Sequence, residues 1–325
     1  MSPKLVPTSS QLIELWQRVR AYTSNEVRGT PEGVTHSLRN LLTLNTFQEE
    51  RGGDKYRINA HEYVYGVCED GEYLLMMQDL VKGGFTLGDK RRGLSVLQLK
   101  TPVRNLAHLH AASYTFNHTH DFLAKYPHFK ATPFMTSVGY YAQFPCVLRI
   151  LASNKDKLLN KVTGILTINI KEAVLRLCYG DDCTNNFMFK YDKEGVVEDF
   201  AMIDWGNVRW QNLVTDLLYV INTSTQQDVR WNHMREMQKL YYDTFTSAAA
   251  NLGATLPHWR FEDFLVEYRK STLMGVVFAL FVNLLCTFSI RKIKTKSRHP
   301  QHGLHLLAES EVCQGYNVHA EFVAA

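Results

Sequence analysis

The chain has 325 residues, of which 45% are hydrophobic and 21% are charged, a composition typical of a folded domain rather than a disordered segment. Its formal net charge of +4 is small for this length, so composition gives no indication of nucleic-acid binding. Much of the excess positive charge lies in one late run, Arg291–Arg298, and is not spread over a face.

The N-terminal segment does not have the pattern of a secretory signal. Met1–Gln17 lacks an apolar core and a small-residue cleavage site. The six cysteines are scattered, with no pair at C-x-x-C spacing. Without secretion, such cysteines are expected to be reduced and mostly buried thiols. We therefore expect a cytoplasmic protein.

One apolar segment invites a membrane interpretation. Gly275–Ile290 is strongly apolar and is followed at once by basic residues, as a short membrane anchor would be. Its 16 residues include Asn283 and fall short of the roughly 20 that cross a bilayer. We interpret this segment as a buried helix and predict no membrane span.

The first predicted elements in chain order are a helix and a hairpin. Apolar residues at helical spacing predict a helix over Ser9–Tyr22, whereas periodicity is weak over Thr23–Gly53. Two β-rich runs, Tyr63–Val67 and Tyr73–Met77, flank an Asp-Gly turn. This pattern predicts a β-hairpin.

Helical patterns dominate the rest of the chain and are interrupted by one short hairpin. Helical structure is predicted after Pro102, over Lys155–Cys178, from Asp216 to Leu252, and from Phe261 to Thr287. Strands are predicted at Phe187–Phe189 and Phe200–Ile203, around a turn at Asp192–Gly195. A small β-containing part therefore precedes a large, mainly helical part.

The residues that indicate chemistry lie between the predicted helical regions Lys155–Cys178 and Asp216–Leu252. Asp181 and Asn186 stand at the two ends of one predicted loop, and Asp204 follows the second strand of the hairpin. Phosphoryl transfer needs a carboxylate that orients or deprotonates the attacking hydroxyl group, and oxygen ligands that hold Mg²⁺ against the nucleotide phosphates. The order D-x-x-x-x-N, strand, turn, strand, D-aromatic-G matches that of the corresponding protein-kinase residues. Taken alone, Asp and Asn at loop ends are also typical of turns with no catalytic role.

Two other motifs are interpreted as structural. Gly83–Lys90 approaches the phosphate-loop pattern, but its Lys is displaced by one position, no Ser or Thr follows, and Asp89 would repel phosphate. His108 and His110 are two residues apart and would diverge on a helix. We predict His110 to be a packing histidine rather than a metal ligand.

Further motifs, in the same order, resemble those of the ecdysteroid kinase-like (CHK kinase-like) proteins, relatives of choline and aminoglycoside kinases. These proteins carry an L-E-D-L hinge, a G-F…D-R…G-L segment, a helix ending L-A-x-x-H-A, the motif H-G-D-x-W-x-N-N, a D-F-Q type magnesium motif and a D-L-L-Y helix start. The corresponding segments here are Met77–Leu80, Gly84–Leu94, Leu106–Ala111, Tyr179–Asn186, Asp204–Gly206 and Asp216–Tyr219. The resemblance runs from Val64 to Cys286.

This resemblance implies an α+β fold, namely a bilobal protein-kinase-like fold with a truncated N-terminal β lobe and a large, mainly helical C-terminal lobe. Residues 1–80 would form an incomplete N-terminal lobe that ends in the hinge. Residues 81–290 would form the helical lobe with the catalytic loop and the metal-binding hairpin. Residues 291–325 would form a basic, loosely ordered tail.

The resemblance also implies an activity: ATP- and Mg²⁺-dependent transfer of phosphate to a hydroxyl group of a sterol-like or choline-like small molecule. Asp181 would be the catalytic base, and Asn186 and Asp204 the metal ligands. Asp216 would be the buried carboxylate that braces the catalytic loop, with Tyr179 in support. The hinge, whose backbone groups would contact adenine, is formed by Met77, Gln78, Asp79 and Leu80. The acceptor and the oligomeric state are left open.

The sequence departs from the family pattern within the catalytic loop and before the hinge. Tyr179 replaces a His, Asp182 a usual Leu, and Cys183 a Trp. A second carboxylate beside Asp181 could raise a pKa if the two faced each other, which adjacent residues on an extended loop usually do not. No glycine-rich hairpin precedes the hinge. The candidate for the phosphate-binding lysine is Lys4, with Glu49 or Glu50 as its partner, and the alternative is a frayed terminal lysine.

These departures leave two alternatives to an active kinase. The chain could be a pseudokinase, in which the fold is retained for nucleotide binding while transfer is lost. It could also be an incomplete gene product that folds poorly, since a lobe without its first strands exposes a sheet edge.

Overall fold

A computed structural model of the protein describes residues 31–69, 72–129, 175–254, 256, 258–272, 275 and 279. In this part of the chain the helices are α1 Pro31–Gly52, α2 Val96–Thr119, α3 Phe122–Lys125, α4 Val214–Ser224, α5 Gln227–Asn251 and α6 Phe261–Lys270. The strands are β1 Tyr63–Glu69, β2 Glu72–Met77, β3 Thr86–Leu87, β4 Leu175–Cys178, β5 Phe187–Tyr191, β6 Val197–Met202 and β7 Arg209–Asn212. Short 3-10 helices are formed by Gly53–Tyr56, Pro127–Phe129, Thr184–Asn186 and Trp205–Asn207.

The described strands form three small antiparallel sheets: β1 with β2, β3 with β5 and β6, and β4 with β7. The β1–β2 pair confirms the first predicted hairpin, with Gly66 opposite Leu75. The β5–β6 pair confirms the second. Its turn is held by the Asp192 carboxylate, which accepts hydrogen bonds from the backbone N–H groups of Glu194 and Val196 at 3.0 and 2.8 Å.

Helix α2 is the centre of the hydrophobic core. Its buried face packs chiefly against α5, and Leu106 and Leu109 are fully buried. The helix begins before Pro102 and not after it, because Ser95 and Gln98 form a capping box at its start. The proline therefore lies within the first two turns of the helix and does not start it.

Two segments differ from the sequence-based expectations. Helix α1 lies in the segment Thr23–Gly53, where the apolar periodicity of the sequence is weak. The periodicity is weak because the buried face of this helix includes polar residues. Gln48 donates to the backbone carbonyl of Tyr56 at 2.5 Å, and Asn45 exchanges two hydrogen bonds with the backbone of Ile58. The end of the segment predicted as helical, Leu175–Cys178, is a strand, because β7 supplies its backbone partners.

Helices α4 and α5 confirm the predicted helical region, with a break at Thr225 and Gln226. The α+β fold class is confirmed. Among the described residues, every helix is too short or too polar to cross a bilayer. The predictions for Ser9–Tyr22, for residues 155–174, for most of residues 275–290 and for the tail concern parts of the chain outside the described residues, and the domain boundaries stay predictions.

Candidate active site

The predicted catalytic loop begins at the end of β4 with a tight turn. Gly180 has a φ of +82°, and a Cβ at this position would lie 2.5 Å from the backbone oxygen of Asn207. Only glycine combines this conformation with such a close approach. The turn therefore brings Asp181 against the segment that follows Asp204.

Both carboxylate oxygens of Asp181 are held by side-chain donors. The Tyr219 hydroxyl, on α4, donates to Oδ1 at 2.8 Å. The Asn207 amide donates to Oδ2 at 3.2 Å. Asp181 is half-buried, so its carboxylate is fixed in orientation without being sealed from solvent. This arrangement suits a group that must orient or accept the proton of an attacking hydroxyl group.

Asn186 and Asp204 are brought together by the pairing of β5 with β6. Phe187 lies opposite Met202, and the Ile203 N–H donates to the Asn186 carbonyl at 3.0 Å. The Asn186 side-chain nitrogen donates to the backbone carbonyl of Asp181 at 2.9 Å. This bond does not use the side-chain oxygen of Asn186, which is the atom that would bind a metal. Asn186 is therefore bonded directly to Asp181, and Asp204 is placed beside this pair by the bond of its neighbour Ile203 to Asn186.

Asp204 adopts an unusual backbone conformation. With φ 61° and ψ 64°, it is the one non-glycine residue with positive φ in the described part of the chain. This left-handed conformation costs a non-glycine residue on the order of 1 kcal/mol or more. Such strain is concentrated at functional sites. Carboxylate and amide oxygens, as offered by Asp204 and Asn186, are the donors that Mg²⁺ prefers, so the residues present fit this metal.

Tyr179, which stands where the related motif has His, connects the two loops. Its backbone N–H donates to Asp216 Oδ2 at 2.6 Å, and its hydroxyl donates to the Ile203 carbonyl, next to Asp204. Its ring packs edge-on against Trp205 with centroids 4.9 Å apart. Tyr179 thus ties the start of the catalytic loop to the loop that carries Asp204.

Asp216 lies beneath this loop, almost fully buried, at the start of α4. Besides the Tyr179 N–H, it accepts hydrogen bonds from Gln211 Nε2 at 3.2 Å and from His110 Nε2 at 3.3 Å. His110 Nδ1 in turn lies 2.5 Å from the Tyr241 hydroxyl. The Asp216 carboxylate can only accept, so His110 donates to it from Nε2 and accepts from the Tyr241 hydroxyl at Nδ1. This hydroxyl stays protonated, because burial raises the pKa of Tyr241 well above its usual value. The arrangement agrees with a packing role for His110.

A second group of potential metal ligands lies in this network. One ligand atom each of His110, Cys178 and Asp216 lie within 4.8 Å of one another, and all three residues are buried. Both ring nitrogens of His110 and both oxygens of Asp216 are already engaged in hydrogen bonds. Burial raises the pKa of the Cys178 thiol well above its usual value, which disfavours the thiolate. The group is therefore a bracing network.

The predicted hinge is largely exposed. The side chain of Met77 is 43% exposed, and Asp79 accepts a hydrogen bond from the Lys82 N–H at 3.1 Å, which lowers the pKa of its carboxyl group. The Gln78 N–H and the Leu80 carbonyl are engaged with Glu62 and Phe85.

Leu80 connects the predicted hinge to the β5–β6 hairpin. It is buried in a small cluster with Phe85, Met188 of β5 and Ala201 of β6. The structure therefore joins the hinge to the hairpin that carries Asn186 and Asp204, although the hinge side chains themselves do not enter the network around Asp181. Lys4 lies outside the described residues, and Glu49 and Glu50 are exposed on α1.

Several residues of this site were not assigned from sequence. Tyr219 and Asn207 hold Asp181, and Tyr241 orders His110. Arg209 donates to the carbonyl groups of Gly180 and Asn207 at 3.4 and 3.2 Å and so fastens the two loops together. Tyr219 could have been found from its position three residues after Asp216 on the same helix, because residues at this spacing share a helix face.

Comparisons with known proteins point in the same direction. The model of the ecdysteroid kinase-like family matches residues 40–254, which is more than half of the chain. No curated protein sequence matches the chain significantly.

Similar solved structures include a choline/ethanolamine kinase family protein from Mesorhizobium loti, with 10% identity over 88% of this chain and 82% of that one, and a TM-score of 0.40. An ethanolamine kinase from Plasmodium vivax is 9% identical over 85% of this chain and 72% of that one, with a TM-score of 0.41. An aminoglycoside phosphotransferase from Alicyclobacillus acidocaldarius is 12% identical over 78% and 83%, with a TM-score of 0.42. Similarities this low do not identify a substrate.

Proposed function

Because this chain belongs to the ecdysteroid kinase-like family and has a protein-kinase-like α+β fold, we propose that it transfers phosphate from ATP to a hydroxyl group of a small molecule in the presence of Mg²⁺. Family membership supports a small-molecule phosphotransferase in general. The identity of the nucleotide, the requirement for a metal and the alcohol acceptor are what the proposal adds to family membership.

One observation carries the proposal. Asn186 is hydrogen-bonded to Asp181 and, through its backbone carbonyl, to Ile203, the residue before Asp204, at one end of the β5–β6 hairpin. Asp181 would orient the acceptor hydroxyl group and accept its proton, with Tyr219 and Asn207 fixing its carboxylate. Asn186 and Asp204 would hold Mg²⁺, which when bound neutralises charge on the nucleotide phosphates.

The hinge places a limit on how adenine could be bound. The Gln78 N–H and the carbonyl groups of Asp79 and Leu80 already have partners within the chain. An adenine ring at this position would therefore rely on other backbone groups of Met77–Leu80, and on apolar contacts near Leu80. The acceptor remains the class of small alcohols, either sterol-like or choline-like.

Thermal unfolding of the purified chain with Mg-ATP, and with ATP plus a chelator, tests the proposal. A ligand at about 100 times its dissociation constant stabilises the folded state by about 2.7 kcal/mol, so we expect a metal-dependent rise in Tm. Asp204→Asn should remove most of this rise, because it removes a charged metal ligand. Asp199→Asn is the matched control, since Asp199 is an exposed carboxylate on the same hairpin.

An equal rise in Tm for Asp204→Asn and wild type would refute the metal assignment. The absence of any rise in the wild type would refute nucleotide binding. Metal-dependent binding of ATP without transfer to any alcohol would instead favour the pseudokinase alternative.

A further inference from the structure

Asp182, the neighbour of the proposed catalytic base, has a role that the proposed function does not include. Its backbone carbonyl accepts hydrogen bonds from the hydroxyl groups of Thr223 and Ser224 on α4, at 3.4 and 3.3 Å. Its side chain is completely buried, whereas the side chain of Asp181 is half-buried. The two adjacent carboxylates therefore point into different surroundings.

Neither carboxylate oxygen of Asp182 has a hydrogen-bond donor among the described residues. After burial itself, Asp216, another carboxylate, is the neighbour that acts most strongly on the side chain of Asp182. Two ionised carboxylates in this position would repel each other, and a hydrogen bond between them requires one proton. A fully buried carboxylate with neither a donor nor a proton would be strongly destabilising.

The hydrogen bonds of the two residues indicate which one carries this proton. Asp216 already accepts from Tyr179, Gln211 and His110, all of which stabilise its ionised form. Asp182 has no such donors. Burial, followed by the charge of Asp216, raises the pKa of Asp182 well above its usual value.

We propose that Asp182 is held as a neutral carboxylic acid that donates a hydrogen bond to Asp216, and that this pair positions the catalytic loop on α4. Asp182 is thus a positioning residue, and the proposal concerns the folded state whether or not the chain is an active kinase.

Other ionisable groups also face Asp182. Asp181, Tyr179 and Cys178 flank it on its own segment, and Asp216 faces it from α4. Arg209 of β7 favours the ionised form of Asp182, but its guanidinium group is engaged with two backbone carbonyls and with Gln211. The acidic groups therefore outnumber the one cation that acts on Asp182.

The proposal fixes the direction of a pH effect. Asp182 has a higher pKa in the folded than in the unfolded chain, so above the unfolded value the folded state binds more protons. The stability contributed by this group is therefore fully present below the unfolded pKa and is lost progressively as the pH rises toward the folded pKa. This one residue should therefore lower the stability of the protein progressively as the pH rises from the unfolded pKa of an Asp through neutral to alkaline pH.

The experiment compares the pH dependence of Tm for the full chain and three variants, from about pH 5 to about pH 9. Asp182→Asn supplies a neutral donor of the same shape at every pH, and Asp182→Leu removes both the proton and the donor. Glu194→Gln is the control for loss of a carboxylate, because Glu194 is exposed in the β5–β6 turn. We expect the fall of Tm with rising pH to be clearly smaller in both Asp182 variants than in wild type and Glu194→Gln.

Infrared spectroscopy supplies a second readout that does not depend on variant stability. The wild type at neutral pH should show the carbonyl band of a neutral carboxylic acid, and Asp182→Leu should lack it. Tm profiles of the Asp182 variants parallel to that of wild type would overturn the proposal. So would a wild-type spectrum without a neutral-acid band.

Discussion

The catalytic loop and the predicted hinge place their polar residues in opposite environments. Around the loop, Tyr179, His110 and Asp216 are almost completely buried, and each has a specific partner. In the predicted hinge, Met77 and Asp79 are exposed, and the Asp79 carboxylate contacts the backbone N–H and the ammonium group of Lys82 in a local turn. A buried polar group stabilises only as part of its complete network, since its loss leaves partners unsatisfied. The two regions should therefore respond very differently to substitution.

The largest expected effect follows from removing the centre of the buried network. Asp216→Ala would remove the acceptor of three buried donors: the N–H of Tyr179 and the side chains of Gln211 and His110. We expect it to lower the free energy of unfolding by about 3–5 kcal/mol. The matched change in the hinge, Asp79→Ala, should leave the urea midpoint almost unchanged, because this carboxylate is exposed. Urea unfolding with both midpoint and m-value measures the contrast. Equal losses in the two variants would contradict it.

A smaller effect is expected where the network reaches the proposed base. Tyr219→Phe removes the hydrogen bond to Asp181 Oδ1. Hydrogen bonds to charged groups contribute about 1.5–3 kcal/mol, so kcat for Mg-ATP hydrolysis or transfer should fall by roughly 10- to 100-fold. KM for ATP should change little, because the hinge is remote from this contact.

Tyr242→Phe is the control for this substitution. Its hydroxyl donates to the Trp259 carbonyl at 2.8 Å and has no contact with the loop. An unchanged kcat in Tyr219→Phe, or an equal fall in Tyr242→Phe, would argue against a role for Tyr219 in orienting Asp181.

Buried histidines should make the protein sensitive to acid. Burial lowers the pKa of His108 to about 4. The folded state thus binds fewer protons than the unfolded state between the unfolded value near 6.5 and about 4. The stability of this site is complete above the unfolded pKa and is lost as the pH falls through that window, by about 3 kcal/mol.

His108→Gln should make this acid limb less steep while leaving in place the fall of stability at higher pH that is attributed to Asp182. Because the two groups act in opposite directions over the acid window, chemical denaturation at a series of pH values is compared between wild type and His108→Gln. An acid limb of the same steepness in His108→Gln would show that other groups cause the loss.

Sequence spacing singled out the candidate site residues that follow one another in local order along the chain, and their roles stay predictions. Asp181, Asn186 and Asp204 were recognised from spacing, because the intervening loop and hairpin have fixed lengths. Asn207 could not be found in this way, since its contact with Asp181 depends on the left-handed turn at Asp204. The pairing of Asp182 with Asp216 was missed for a related reason: it depends on how α4 packs beneath the loop.

The same distinction explains the errors in the fold. The β5–β6 hairpin was predicted because its alternation and turn are local. Helix α1 was missed because buried Asn45 and Gln48 interrupt its apolar stripe, and their backbone partners come from the segment that follows the helix. Strand β4 was missed because its partner, β7, lies more than thirty residues away in sequence. Long-range pairing overrides weak local preference.

The smallest predicted effect has opposite signs for stability and function. Asp204 has positive φ, a conformation that glycine adopts without strain, so Asp204→Gly should raise the free energy of unfolding by about 1 kcal/mol. The same change should abolish the metal-dependent rise in Tm with Mg-ATP, because the carboxylate is lost. Asp204→Asn serves as the control, since Asn tolerates this conformation about as well as Asp and should leave stability without nucleotide unchanged. A loss of stability in Asp204→Gly would mean that the carboxylate is held by structural contacts that outweigh the strain. A gain would mean that the chain retains a strained aspartate for its ligand chemistry at a cost in stability.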